Sequence, residues 1–428
     1  MAKSRHLIAE SAQFDKTELA ANHTPPWLGD RESMPTPERI YFDNAATSWP
    51  KPEAVYAAVE HYQRFVGTSP ARGVYSEAVE ADRTIAATRA AISSLIDGEG
   101  PQRVVFTLNG TDSLNLAIHG VVRPGDHVVT SVVDHNSVLR PLRRLEESQA
   151  VQVSRVRCDG QGIVDPDDVR AALRPETRLV ALVHASNVTG ALQLIGEVGQ
   201  IVRDHGALLL VDAAQSLGHV PISVREMGVD LLAAPGHKGL LGPLGTGLLY
   251  IAPGVEERLQ SVRQGGTGTQ SDEDRQPDQL PDKYEPGNLN ALGLFGLKAG
   301  VEYLVSRTVD EIRRHAVELT DRLRQGFSAI PGVRVYGPED PQRQVGVVSI
   351  TLEGYAPQEL AAILDGGFRV QVRAGIHCAP LMHRALGTLD SGGTVRFSLG
   401  PFHTAAEIDL AIDAVRAVAA ERIDVAAR

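Results

Sequence analysis

From Tyr41 onward the apolar positions fall into two patterns. The segments VYAAVEHYQRFV (55–66) and EAVEADRTIAATRAAISSLI (77–96) repeat apolar residues at intervals of three and four, which predicts amphipathic helices. Beyond them, short apolar runs alternate with helical stretches: VVFT (104–107), HVVTS (127–131), LVALVHA (179–185), ALLLVD (207–212), DLLAA (230–234) and GLLYI (247–251). A strand with one wet face alternates apolar and polar residues. These runs are continuously apolar, so the pattern predicts strands covered on both faces, in a mainly parallel sheet flanked by helices. The connecting lengths vary too much for a solenoid repeat. The fold class is α/β.

Residues 263–288 are rich in Gly, Pro and charge and read as a long irregular loop. Helical pattern resumes at 291–307 and 309–329. A smaller set follows: strands near 333–336 and 346–352, a helix at 357–365, strands at 368–373 and 394–399, and a helix at 404–422. That grouping predicts a second, α+β domain. Residues 1–38 mix polar residues with Pro and show no sustained period, which suggests a mobile arm. The expected organisation is an arm (1–38), a segment packing on the small domain (39–59), a large domain (60–300) and a small C-terminal domain (301–428).

Composition narrows the function. At 428 residues and 43% hydrophobic, the chain can bury a sizeable core. Its formal net charge of −11 argues against general binding to nucleic acid or anionic membranes. No apolar run approaches the ~20 residues of a membrane helix, and the N-terminus shows no secretory signal. Cys158 and Cys378, the two cysteines, cannot form a disulfide framework, so a reducing cytoplasmic setting is expected. The choice of cation is uneven: only Lys3, Lys16, Lys51, Lys238, Lys283 and Lys298 are Lys, and every other basic residue is Arg. Lys can lose its proton and form a Schiff base, whereas Arg stays charged.

Thr111, His135, Asn187, Asp212, Gln215, His237 and Lys238 each lie at or just beyond the C-terminal end of an apolar run. In an open parallel sheet, ligands bind in the crevice at that edge. Asn109-Gly110-Thr111-Asp112 reads as a strand-to-helix turn, either a plain N-cap or a phosphate site built on helix N–H groups and a hydroxyl. Asp212 ends the most apolar strand and needs a cationic partner or a strong donor, a structural ion pair or a protonated pyridine nitrogen. Lys238, within Pro235-Gly236-His237-Lys238-Gly239, is set among Gly and apolar residues that lower an amine's pKa, although a snorkelling surface Lys fits too. His135 could stack on a flat ring and move protons, or serve as a structural donor. Cys378 follows Arg373 and His377, which would favour its thiolate; a buried inert thiol is the alternative. Arg396 lies inside an apolar strand, where it needs a carboxylate from protein or substrate unless it faces water at an edge. Cys158 has no role, and two cysteines without a His/Cys cluster make no zinc site.

Taken together, over about residues 39–423, these residues resemble the class V aminotransferase family of pyridoxal 5'-phosphate (PLP) fold-type I enzymes, in its cysteine desulfurase and selenocysteine lyase branch. The similarity runs through Tyr41-Phe42-Asp43-Asn44-Ala45-Ala46-Thr47, Gly110-Thr111, His135, Ser186-Asn187, Asp212-Ala213-Ala214-Gln215, Gly236-His237-Lys238, Arg373-Ala374-Gly375-Ile376-His377-Cys378-Ala379 and Val395-Arg396-Phe397-Ser398. The resemblance implies a large domain with a seven-stranded-type sheet that binds PLP, and a small domain carrying the nucleophile loop. It implies that Lys238 holds PLP as a Schiff base and acts as base at the substrate Cα. Asp212 would pair with the pyridinium nitrogen, Gln215 and Asn187 with the phenolic oxygen, His135 with the ring face, and Thr111 and His237 with the phosphate. Arg396 would clamp the substrate α-carboxylate and Asn44 would contact the substrate side. Cys378 would take sulfur from L-cysteine as a persulfide, leaving alanine. A homodimer and a sulfur-acceptor protein are the implied partners, with no nucleic acid, membrane or metal.

Three departures stand out. Pro235 replaces a phosphate-binding Ser, Ile376 replaces the first His of a His-His-Cys loop, and Asn288 stands where a Thr from the neighbouring subunit reaches the phosphate. Other chemistries of the same family (a selenocysteine lyase, epimerase or transaminase) and a non-catalytic sulfur-transfer scaffold remain the alternatives.

Overall fold

The computed structural model describes residues 39–70, 73–270 and 272–426, so the expected arm at 1–38 lies outside the described residues. The chain enters through β1 (Ile40–Tyr41), α1 (Glu53–His61) and α2 (Ser76–Leu95). The apolar period at 55–66 predicts one helix, but α1 gives way to a π-helical turn at Tyr62–Val66, closed by Gly67 at φ 53°.

Strands and helices then alternate: β2 (Val104–Thr107), α3 (Gly110–Val121), β3 (His127–Ser131), α4 (Asn136–Gln149), β4 (Gln152–Val156), α5 (Pro166–Ala172), β5 (Thr177–Val183), α6 (Ile195–His205), β6 (Leu208–Asp212), β7 (Leu231–Pro235) and β8 (Gly247–Ile251). They form a seven-stranded sheet in the order β2-β8-β7-β6-β5-β3-β4. β8 is antiparallel to both its neighbours, β7 and β2, and the other pairings are parallel. The double-sided covering expected from the continuous apolar runs is present. Leu209 and Val211 of β6 belong to one buried cluster, while Leu208 and Leu210 point into another on the opposite face.

The sequence pattern missed β4. Its residues QVSRV are half-exposed up to a buried Val156, as befits a strand at the sheet's edge.

The chain continues through α7 (Ala291–Arg307), which spans the expected division at 300/301, and α8 (Val309–Ser328), β9 (Val333–Tyr336), β10 (Val347–Leu352), α9 (Pro357–Phe368), β11 (Val370–Gln371), β12 (Arg373–Gly375), α10 (Pro380–Ala385), β13 (Thr394–Ser398) and α11 (Ala405–Ala426). A four-stranded antiparallel sheet, ordered β12-β13-β10-β9, has its own core of Leu319, Phe327, Ile350, Phe397 and Val415. Phe42 belongs to that core, and β1 pairs parallel with β11. The stretch 368–373 is therefore not one strand. Arg369, at φ 55°, ends α9; Val370–Gln371 pair with β1, and Arg373 begins a strand of the other sheet. The two partners lie far away in sequence, which local pattern cannot announce. Among the described residues no helix is long and apolar enough to cross a membrane.

Candidate active site

Strands β3, β5, β6 and β7 run the same way, so the loops that leave them open onto one edge of the sheet. The N-termini of α3 and α4 meet there. Asn109 caps α3 by accepting from the Asp112 N–H at 2.9 Å, and His135 caps α4 by accepting at Nδ1 from the Ser137 N–H at 3.0 Å. A Cβ on Gly110 would come to 3.1 Å from Pro235 Cδ, so the smallest residue lets the two loops approach. The hydroxyls of Thr111 and Ser137 lie 2.7 Å apart. Two helix N-termini carrying hydroxyls make a corner suited to an anion.

Behind His135, the fully buried Asp134 accepts from the Ser131 and Val183 N–H groups and from the Thr130 and Ser131 hydroxyls. Those bonds fix the turn that presents His135. Burial pulls the His135 imidazole down to about 4, so it is neutral near pH 7. Burial lowers His237 in the same way, also to about 4. His237 Nδ1 is buried and has no protein partner.

β6 ends in Asp212, whose Oδ1 accepts from the Ala214 N–H at 2.9 Å. Burial raises its carboxyl pKa, opposed by that bond and by Lys238. β7 leads to Gly236-His237-Lys238-Gly239. A Cβ on Gly239 would fall 2.2 Å from the Leu217 carbonyl, so only glycine permits this turn. Lys238 is brought down to about 8, chiefly by burial, with Asp212 pulling the other way. The carbonyl of His237, one residue earlier, accepts from Ser48 N–H and from the Thr47 and Ser48 hydroxyls, which ties the lysine turn to the N-terminal segment.

The four-stranded sheet closes the site. Arg396 on β13 is fully buried; Nη1 donates to the Asn187 carbonyl at 3.1 Å and Nη2 to Asp43 Oδ1 at 2.6 Å, while Nε has no partner. Arg373 is its cross-strand neighbour. Together these elements enclose a cavity of about 740 Å³, lined among others by Thr111, His135, Asn187, Asp212, Gln215, His237, Lys238, Arg373 and Arg396. Carbonyl oxygens can only accept, so the contacts of Gln215 Nε2 with the Ala45 carbonyl (3.0 Å) and Asn187 Nδ2 with the His377 carbonyl (2.5 Å) orient both amides. Each NH₂ keeps a second proton to donate.

Three expected site residues stand apart from that lining. Asn44 spends its amide on the Tyr41 and Ser398 carbonyls and on the Trp49 N–H, beside the lining residues Ala45 and Ala46. Asn288 accepts from the Ser69 hydroxyl at 3.2 Å and borders a separate cavity of about 140 Å³ with Arg89 and Glu285. Cys378 is half-buried on a loop where it and His377 both take left-handed backbone, φ 58° and 49°. That loop is held at the rim, because the Cys378 carbonyl accepts from the Asn136 N–H at 2.8 Å and the His377 carbonyl takes the Asn187 amide. Arg373 Nη2 lies 3.9 Å from the sulfur. His377 does not supply the charge expected beside it: its ring turns to Thr394, with burial holding it neutral.

Reasoning from sequence also passed over Asp43, Asp134 and Ser137. Ser137 carried a readable signal, two residues after His135 at a helix start. The ion pair of Asp43 did not, since it joins positions 353 residues apart.

An amine near neutrality, a buried carboxylate and an anion corner share one cavity. They fit a planar aldehyde that carries a ring nitrogen and a phosphate: the amine could hold the carbonyl, the acid could balance the nitrogen, and the unpartnered His237 Nδ1 and the hydroxyls would be available to the phosphate. Comparison with known proteins agrees. The family model described as Aminotransferase class-V matches residues 40–411. A protein of Methanothermobacter thermautotrophicus named a probable cysteine desulfurase is 37% identical over 377 residues, 87% of this chain and 93% of that one. One of the same name from Pyrococcus abyssi is 33% identical, covering 89% and 94%. The apo structure of a cysteine desulfurase from Thermococcus onnurineus superposes with a TM-score of 0.84 at 32% identity, covering 90% of this chain and 95% of that chain. The chain belongs to the class V aminotransferase family, with the PLP fold-type I architecture of its structural relatives.

Proposed function

We propose that the chain is a PLP-dependent cysteine desulfurase that converts L-cysteine to L-alanine and carries the sulfur as a persulfide on Cys378. The observation that carries this reading is the meeting of Lys238, Asp212 and Arg396 in one cavity, with the Cys378 loop pinned to its rim. Thr111 and His237 would hold the phosphate, Asp212 the pyridine nitrogen, Gln215 and Asn187 the phenolic oxygen, and His135 the ring face. When bound, PLP supplies an electron sink that stabilises negative charge developing at the substrate Cα.

The chain's own residues do the rest. Arg396 binds the substrate α-carboxylate from the four-stranded sheet, which turns the Cα toward the amine on the other side. Lys238, partly neutral at physiological pH, takes the Cα proton. The thiolate of Cys378 then attacks the substrate sulfur. An S–S bond forms as the Cβ–S bond breaks, and the electron pair of that bond passes to the three-carbon fragment. The fragment takes a proton at Cβ, regains one at Cα from Lys238, and leaves as alanine. Two further expectations belong to the same reading: a homodimer in which Asn288 serves the neighbouring subunit's phosphate, and a protein that accepts the persulfide sulfur.

The test is an absorption spectrum of purified protein with PLP, before and after L-cysteine, with alanine and sulfide measured in the presence of a thiol reductant. The reading requires a visible band that cysteine perturbs and equal yields of the two products. A colourless protein that takes up no PLP ends it. A Cys378→Ala variant that releases sulfide at the unmodified rate removes the nucleophile assignment while leaving the cofactor.

A further inference from the structure

The exit of β7 brings no hydroxyl to the phosphate end of the cavity, because Pro235 stands there. On the cofactor assignment made above, we propose that Ser137 supplies one from the other side as a phosphate-binding residue, with its hydroxyl beside that of Thr111.

Ser137 lines the main cavity, is buried, and sits in the first turn of α4. Its hydroxyl makes two contacts, with Thr111 Oγ1 at 2.7 Å and with His135 Nδ1 at 2.9 Å. The second can be assigned a direction. His135 Nδ1 already accepts from the Ser137 N–H, so it carries no proton, and the imidazole proton of this neutral ring is on Nε2. Nδ1 therefore donates nothing to the serine.

The two hydroxyls bring two protons to their corner, and only one can lie between the oxygens. The other, which the serine hydroxyl gives to His135 Nδ1 here, can turn toward a stronger acceptor. A phosphate oxygen is a stronger acceptor than a neutral ring nitrogen that already takes an N–H, and charge-assisted hydrogen bonds are the strong ones. An anion at this corner meets both helix N-termini and both hydroxyls at once. The Pro235 position and Ser137 face the same corner from opposite loops, for Pro235 packs against Gly110, one residue before Thr111. The hydroxyl missing from the β7 exit thus reappears on the α4 exit.

The experiment compares apoprotein titrated with PLP and with pyridoxal, which has the aldehyde and ring but no phosphate. Binding is followed by the cofactor's absorbance for unmodified protein and for Ser137→Ala, Ser137→Thr and Thr111→Ala. Removing one hydrogen bond to a charged group should weaken PLP binding by about tenfold to a hundredfold. Pyridoxal affinity should be unchanged, and Ser137→Thr, which keeps the hydroxyl, should retain most of the PLP affinity. If Ser137→Ala leaves the ratio of the two affinities unchanged, whether because neither falls or because both fall together, the proposal is overturned. Unmodified protein that binds neither compound would overturn the cofactor assignment itself, a separate outcome.

Discussion

At Lys238 two effects oppose each other. Burial strips water from the ammonium and favours the neutral amine, whereas Asp212 and Asp43 favour the charge; burial wins, and the pKa stands at about 8. Neutral amine increases as pH rises through the pKa, so at pH 7 roughly a tenth of Lys238 is nucleophilic, against roughly one part in a few thousand for an ordinary lysine. The rate of PLP capture by apoprotein, measured by stopped-flow absorbance, should climb with pH and level off above about 8. A profile still rising in proportion to hydroxide at pH 10 would show that burial is not what tunes the amine. This residue was legible in the sequence because lysine is scarce in the chain and glycine surrounds this one. The partner of Arg396 was not legible. Asp43 takes the guanidinium of an arginine with no exposed surface, and burial works against that charge. Removing one member of a buried pair strands the other. Asp43 is itself about a quarter exposed, so the cost is discounted: Asp43→Asn should lower unfolding free energy by about 2 kcal/mol in urea titration at pH 7.

Among elements, legibility followed burial. Strands covered on both faces, such as β6 and β7, stood out as unbroken apolar runs, while β4 at the edge and the two-residue β11 were hidden or merged. Short strands held by distant partners leave no local period to read. The long loop at 263–288 was visible as composition, but its anchor was not. Glu285 near its end forms a two-pronged ion pair with Arg89 of α2, with Nη2 to Oε2 at 2.6 Å and Nη1 to Oε1 at 2.7 Å. It also takes the Phe106 N–H of β2. One buried carboxylate thus joins a helix, a strand and the loop three residues before Asn288. Burial raises the Glu285 pKa and Arg89 opposes the shift, so the pair persists because every oxygen has a donor. Glu285→Ala leaves Arg89 and a strand N–H unpaired, and about 3–5 kcal/mol of stability should be lost. Loss below 1 kcal/mol by equilibrium denaturation would mean that water replaces the carboxylate freely.

At the scale of the molecule, the cavity belongs to neither sheet alone. Lys238, Asp212 and the anion corner come from the seven-stranded sheet, and Arg396 and Arg373 from the four-stranded one, each with a separate hydrophobic core. Individual polar bonds cross between them near the site, among them the Asn187 amide to the His377 carbonyl, the Asn136 N–H to the Cys378 carbonyl, the Ser349 hydroxyl to the Val188 carbonyl at 2.6 Å, and Arg396 to the Asn187 carbonyl. A ligand that touches both sides therefore adds a crosslink that unfolding must break. The product L-alanine has the carboxylate for Arg396 and the amino group for the cofactor end, but no sulfur to react. Saturating alanine should raise the melting temperature of the PLP-loaded protein by an amount set by its occupancy, on the order of a few degrees. In Arg396→Met the arm that reaches the second sheet is gone, so the same alanine concentration should leave the melting temperature unmoved while PLP alone still stabilises the variant. Equal shifts in the two proteins would mean that the amino acid is held by the seven-stranded side alone, and that the arginine is buried for its bond to Asp43 rather than for a substrate.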